Sequence, residues 1–165
     1  LYTGEPFTFA GQHYRVRDAR CAPRPDPDPP LLSGAFRPRM LRLAAEFGDW
    51  WGVSSTGVAT YRRLARQFED ACAAAGRDPG AVRRSWSGGC ACAPTGAEAV
   101  AVAGDRFSPD AEEDFGFVGT PAQVVEQMRA FIALGVSYFI VDCSEFPNLT
   151  TLELLVKEVL PALHD

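Results

Sequence analysis

Apolar residues along this chain change period several times, and each change marks an element. Between Glu5 and Arg17 they alternate, with Phe7 and Phe9 on the first arm, Gly11-Gln12 at the turn and Tyr14 and Val16 on the return. Alternation about a glycine turn predicts a small β-ribbon over residues 1–20. From Cys21 to Pro30 the run CAPRPDPDPP cannot donate regular ladder bonds, so it predicts a stiff, extended connector. Leu31 and Leu32 then predict a very short buried strand that stops at Ser33-Gly34. Pro38 presets the first turn of a helix whose apolar face is Met40, Leu41, Leu43, Ala44 and Phe47, with Gly48 at its end.

The strand, loop and helix sequence then repeats. Trp50, Trp51 and Val53 predict a second strand, Ser54 to Gly57 a loop, and Tyr61, Leu64, Ala65, Phe68, Ala71, Cys72 and Ala75 the stripe of a longer helix ending at Gly76. Arg83 to Ala93 predicts a third strand. The polar stretch from Pro94 to Phe115 carries no pattern beyond a helix over Ala97 to Ala103. Thr120 and Pro121 open a helix striped by Val124, Val125, Met128, Phe131, Ile132 and Leu134 and closed by Gly135. The near-continuous apolar run VSYFIVD, Val136 to Asp142, predicts a strand covered on both faces, and Leu152 to Leu163 an amphipathic helix.

Strands alternating with helices imply parallel βα units joined by right-handed crossovers, here about four of them. A closed barrel of eight such units needs roughly 250 residues, and about 200 at least. The 165 residues of this chain therefore read as one domain that is either an open sheet or half of a barrel. Composition narrows the partners. The formal net charge is −5, so no positive field is available for a nucleic acid or an anionic bilayer. No apolar run approaches the roughly 18 residues that cross a membrane, and no basic stretch followed by an apolar run opens the chain, which reads as cytoplasmic. Five scattered cysteines read as reduced thiols rather than a disulfide framework.

The strings FAGQHYRVRDARCAPRP, PPLLSGAFRPRMLRLAAEFGDWW, AAAGRDPGAVRRSW and FGFVGTPAQVVEQMRAFIALGVSYFIVD, in that order and over nearly the whole chain, resemble the C-terminal half of luciferase-like oxidoreductases that use flavin or deazaflavin. The resemblance implies an α/β fold. About four parallel βα units would form the C-terminal half of a TIM (β/α)8 barrel, with the β-hairpin and proline connector leading in. It implies FMN or coenzyme F420 as cofactor, held weakly or not at all by this chain alone, a small-molecule substrate, and hydride transfer or monooxygenation in the complete fold. It also places a cofactor-phosphate cradle where the first of the four strands enters its helix, at Ser33, Gly34, Ala35, Arg37 and Arg39. Relatives carry a pattern like GGxGPR there; this chain keeps Gly34, Pro38 and Arg39, with Ser33, Ala35 and Arg37 as departures. Such a cradle has a physical basis in unpaired amides at a helix start and close approach at glycine, and Arg37 adds a charged partner for a phosphate. The resemblance supplies no catalytic acid or base within these residues.

The remaining features read as structural. Cys90-x-Cys92 lacks neighbouring ligands for a metal and reads as two thiols on one strand face. Of Trp50 and Trp51, one must face each side of the sheet. Asp142, near the carboxyl end of its strand, is a better site candidate than Asp49. Gly119-Thr120-Pro121 is a helix start without the lysine of a phosphate loop, and His13 sits solvated on the ribbon. The alternative to an oxidoreductase half is a non-catalytic half-barrel that pairs, as a homodimer, through two open sheet edges near Leu32 and Ile140.

Overall fold

The computed structural model describes residues 2–106, 116–143 and 147–164. They divide into two compact units, Leu1–Leu31 and Leu32–Asp165. In the first, β1 (Phe7–Ala10) and β2 (Arg15–Ala19) pair antiparallel, and the Gly11 N–H donates to the Tyr14 carbonyl at 2.9 Å to close the turn. Phe7 and Phe9 stack at 6.3 Å between ring centroids. The expected ribbon is present, and no helix or strand interrupts the proline run that follows it.

The second unit is a parallel sheet flanked by helices. Its elements are β3 (Leu32–Gly34), α1 (Pro38–Phe47), β4 (Trp50–Ser54), α2 (Val58–Ala74), β5 (Arg83–Cys92), α3 (Gly96–Ala103), β6 (Gly116–Gly119), α4 (Pro121–Ile132) and β7 (Val136–Asp142). A C-terminal helix follows, running from α5 (Thr150–Leu154) through one wide π-type turn (Leu155–Val159) into α6 (Leu160–His164). Pro161 lies inside that helix, where its ring would press on the carbonyl four residues back, and the wide turn relieves the crowding.

The long strand β5 is the hub. Ser85, Trp86 and Ser87 pair with β4 along one edge and with β7 along the other, while Gly89 to Cys92 pair with β6. All these pairings are parallel, and β3 continues the sheet beyond β4. The strand β6 escapes the hydrophobic pattern because two of its four residues are glycine. Gly116 is required there: its φ is +155°, and a side chain would collide with the Gly89 carbonyl of β5.

The core lies between the sheet and its helices. Trp51 stacks on Phe68 at 4.5 Å and on Tyr61 at 5.7 Å, and Trp86 packs against Phe117 at 4.5 Å and Phe131 at 5.4 Å. Each fully buried aromatic side chain contributes about 2–3 kcal/mol of transfer free energy. Two expectations fail on the opposite face. Leu32 is 51% exposed, so β3 is not a buried strand, and along β7 Tyr138 and Ile140 are 41% and 50% exposed, so only one face is covered. The reason is topological: β3 and β7 each have a single neighbouring strand, and among the described residues no layer packs on that side of the sheet.

Candidate functional site

Register sorts the uncovered face into layers. At the amino ends of the strands lie Leu32, Trp50 and Arg83; above them come Gly34, Gly52, Ser85 and Tyr138, then Ser54, Ser87 and Ile140, and finally Gly89 and Asp142. The bottom is filled. The Arg83 guanidinium lies 4.5 Å above the Trp50 ring and 5.1 Å from the Tyr138 ring, and Trp50 meets Tyr138 edge-on at 4.9 Å. The top is small and polar. A Cβ at Gly52 would fall 2.6 Å from Ser85 Oγ and force that hydroxyl to turn away, whereas a Cβ at Gly34 would meet nothing within 4 Å. Space on this face therefore opens toward the carboxyl ends, the end at which parallel barrels do chemistry.

Two tryptophans set the loops at that end from behind. Trp51 Nε1 donates to the Ala35 carbonyl at 3.0 Å, and Trp86 Nε1 donates to the Thr56 carbonyl at 3.0 Å. Each strand's indole thus fixes the loop that follows the preceding strand. Trp51 and Trp86 are core and scaffold, and Trp50 belongs to the plug at the amino ends.

The five expected cradle residues are only partly brought together. Ser33 is half-buried and Gly34, exposed, ends β3. Ala35 is fully buried, and its N–H donates to the Gly52 carbonyl at 3.3 Å, so that amide is already used. Arg37 is the N-cap of α1, with no side-chain hydrogen bond to the helix start. Arg39 lies in the first turn of α1, outside the cavity that Arg37 lines.

That cavity, about 480 Å³, opens between the starts of α1 and α2 and is lined by Phe36, Arg37, Ser54, Ser55, Thr56, Thr60, Arg63 and Leu64. Thr56 belongs to the loop at the carboxyl end of β4, where a parallel barrel does its chemistry, whereas Thr60 and Arg63, on α2, lie outside the residues expected at the site. Thr56 is 4% exposed, and its Oγ1 has no hydrogen-bond partner among the described residues. A second cavity, about 500 Å³, sits over the top layers of the open face and brings Ser55, Ser87 and Asp142 together. Asp142 thus lines this cavity.

The other titratable groups are structural. Burial pushes the Tyr61 hydroxyl up to about 12, against the lowering effect of Arg84. Burial also raises the Cys72 thiol, which leaves it a poor nucleophile. Cys90 and Cys92 are buried in the core cluster. No group of three metal-binding side chains gathers among the described residues, and none of their helices is long and apolar enough to cross a membrane. The loop from Cys143 to Asn148 lies partly outside the described residues.

Known proteins share this architecture. A sequence profile of the luciferase-like monooxygenase family matches residues 1–109. Over 79 residues, 48% of this chain and 22% of the relative, the sequence is 32% identical to an F420-dependent hydroxymycolic acid dehydrogenase of Mycobacterium tuberculosis. The fold is similar to that of an F420-dependent secondary alcohol dehydrogenase in complex with an F420-acetone adduct, with a TM-score of 0.78 and 20% identity over 98% of this chain and 57% of that one. It is also similar to the FMN-bound oxygenating constituent of 3,6-diketocamphane monooxygenase from Pseudomonas putida, with a TM-score of 0.66 and 20% identity over 97% and 59% of the two chains. The chain thus spans little more than half the length of these solved structures, and its parallel sheet matches part of their barrel.

Proposed function

The chain belongs to the luciferase-like monooxygenase family, and from that premise we propose that it is the cofactor-phosphate-binding part of an F420- or FMN-dependent oxidoreductase. When bound, the cofactor supplies the redox chemistry, hydride transfer or oxygen activation on a small substrate. The residues of this chain bind and orient it. Ser33, Gly34 and Ala35 shape the approach, Gly34 leaving the space a phosphate needs, and Arg37 and Arg39 supply charge at the start of α1. The observation that carries the reading is the grading of the open face. It is plugged by Trp50, Arg83 and Tyr138 at the amino ends, whereas toward the carboxyl ends glycine and serine predominate beside Ile140 and Asp142.

Fluorescence titration of the chain with FMN, F420 and riboflavin tests this. FMN and F420 are expected to bind weakly, riboflavin about tenfold more weakly because it lacks the phosphate, and Gly34→Val to abolish binding of both phosphorylated cofactors. Equal affinity for FMN and riboflavin overturns the assignment.

A second reading has its own observation. The single-neighbour strands β3 and β7 are flanked by exposed apolar residues, Met40, Leu43 and Phe47 on α1 and Leu152, Val156 and Leu160 on the C-terminal helix. A half-barrel of this kind is completed by pairing, since bare parallel edges invite association. Sedimentation at micromolar concentration distinguishes the outcomes: a cofactor-free dimer supports pairing, and a monomer contradicts it.

A further inference from the structure

We propose that the cavity at the amino ends of the strands, between α2 and the start of β7, is a binding site for an oligophosphate, gripped by Arg62, Arg66 and Arg83. It lies at the opposite end of the sheet from the cofactor approach and shares no residue with it.

The first argument is charge. In a chain of net charge −5, this cavity of about 900 Å³ is lined by Arg62, Arg66, Arg83 and Arg84 and by the carboxylates of Asp49 and Glu69. The arginines are not matched one to one. Glu69 accepts from Arg84 at 2.8 Å, although Arg66 stands three residues before it on the same helix, where an ion pair is within reach. That leaves three guanidiniums against the single carboxylate of Asp49. Arg62, Arg66 and Arg83 make no ion pair among the described residues. Like charges four residues apart on a helix repel, so Arg62 and Arg66 weaken α2 unless an anion lies across them.

The second argument is that the walls are fixed in advance. Arg84, with 13% of its side chain exposed, donates to Glu69 and, at 3.0 Å, to the Leu134 carbonyl, tying α2 to the turn before β7. Arg83 is oriented by the Trp50 ring, 4.5 Å beneath its guanidinium. A site ordered before its ligand arrives loses little freedom on binding. The third argument is a defect in the sheet. Arg84 pairs with Val136 and Ser85 with Tyr138, so Ser137 of β7 is passed over. Bulges gather at barrel rims and re-aim a side chain; this one sets an exposed serine in the lining of the same cavity, where its hydroxyl adds a donor.

Guanidiniums donate and accept nothing, so the matching ligand is dense in acceptor oxygens. Arg62 and Arg66 stand about 5–6 Å apart at Cβ, and Arg83 comes from a different element. The negative charge is therefore spread along the ligand rather than held at one point. Linked phosphates meet both conditions, and a cation or a neutral amide meets neither. The volume also leaves room for an organic group beside the half-buried Trp50.

The test is calorimetric titration of the full chain with inorganic tripolyphosphate in low-salt buffer, where exposed charges are least screened. One saturable site is expected, and Arg62→Ala and Arg66→Ala each weaken it about tenfold, in keeping with the loss of a charge-assisted contact. Arg42→Ala, on α1 and outside the cavity, leaves the affinity within about twofold, and circular dichroism establishes that each variant is folded. Of the three tryptophans only Trp50 lines this cavity, so tripolyphosphate changes the intrinsic fluorescence of the wild type and not that of Trp50→Phe. Tighter binding of ATP assigns the site to a nucleotide, and binding no tighter than that of tripolyphosphate assigns it to free oligophosphate; both require the site and uphold it. FMN leaves the isotherm unchanged, whatever its own affinity for the chain. Absence of saturable binding overturns the proposal, as do displacement of tripolyphosphate by FMN, wild-type affinity in both Arg62→Ala and Arg66→Ala, and an equal loss in Arg42→Ala.

Discussion

The four helices that follow β3, β4, β5 and β6 begin in two different ways. At α3 the Glu98 carboxylate accepts from the Thr95 N–H at 3.0 Å and Thr95 Oγ1 accepts from the Glu98 N–H at 3.3 Å; at α4 Gln123 Oε1 accepts from the Thr120 N–H at 2.9 Å. These starts close on themselves. At α1 and α2 no side chain caps the first turn, and the preceding loops are instead held from the core by Trp51 and Trp86. A boxed helix start sets its own side chain over the N-cap amide and the mouth of the first turn, whereas one that is positioned from behind leaves that mouth uncovered. The difference separates helix starts that serve stability from those available for binding.

Removing the tethers breaks that arrangement most severely. Trp51→Ala or Trp86→Ala is expected to cost about 3–5 kcal/mol in denaturant unfolding, from lost packing and the cavity left behind. Hydrogen exchange should accelerate at the starts of α1 and α2 before those of α3 and α4. Tyr61, packed on Trp51, gives a pH-dependent probe of the same region. Folded, it keeps its proton up to about 12 against an ordinary value of 10.0. Between those values the folded state binds more protons than the unfolded one, so its contribution is complete below pH 10 and is lost as pH rises toward 12. Tyr61→Phe removes that alkaline slope. It also costs little at neutral pH, because the hydroxyl it deletes has no partner among the described residues.

Smaller changes sharpen the contrast. Thr95→Ala removes a cap and should destabilise by about 1 kcal/mol. Thr56→Val removes an orphaned hydroxyl and should leave stability unchanged or raise it by up to about 1 kcal/mol. Similar chemistry, the loss of one threonine hydroxyl, thus gives opposite signs at the two kinds of helix start. Supplying α2 with a cap is the smallest change: Gly57→Asp, at a backbone conformation open to any residue (φ −69°, ψ 161°), should stabilise by about 0.5 kcal/mol through the cap and dipole. The same substitution should close the mouth of α2 to a phosphate, since it covers the first-turn amides and sets a negative charge beside them.

Much of the fold is legible in the residue pattern because helices with one apolar face announce themselves. Leu64, Phe68 and Cys72, or Val124, Met128 and Phe131, recur at the right spacing and are buried as expected. Burial of the strands is harder to read. The run Val136 to Asp142 is apolar enough for a strand covered twice, and the chain alone gives no sign that one side is open, since covering depends on what lies across the barrel. The site is legible in part. Gly34 and Arg37 are singled out by the family resemblance and not by spacing or charge, whereas Arg63 sits in the second turn of a helix, where an arginine reads as a solvated face. Only the crossing of β3 and β4 into adjacent helices brings it opposite Arg37.

Backbone amide chemical shifts during a phosphate titration address the central claim most directly. Saturable shifts at Thr56 to Thr60 and at Arg37 to Arg39, with the amides of Thr95 to Glu98 and Thr120 to Gln123 unmoved, are the expected result. Shifts confined to the capped starts, or spread evenly over surface amides without saturation, would contradict the division of the four helices on which the account rests.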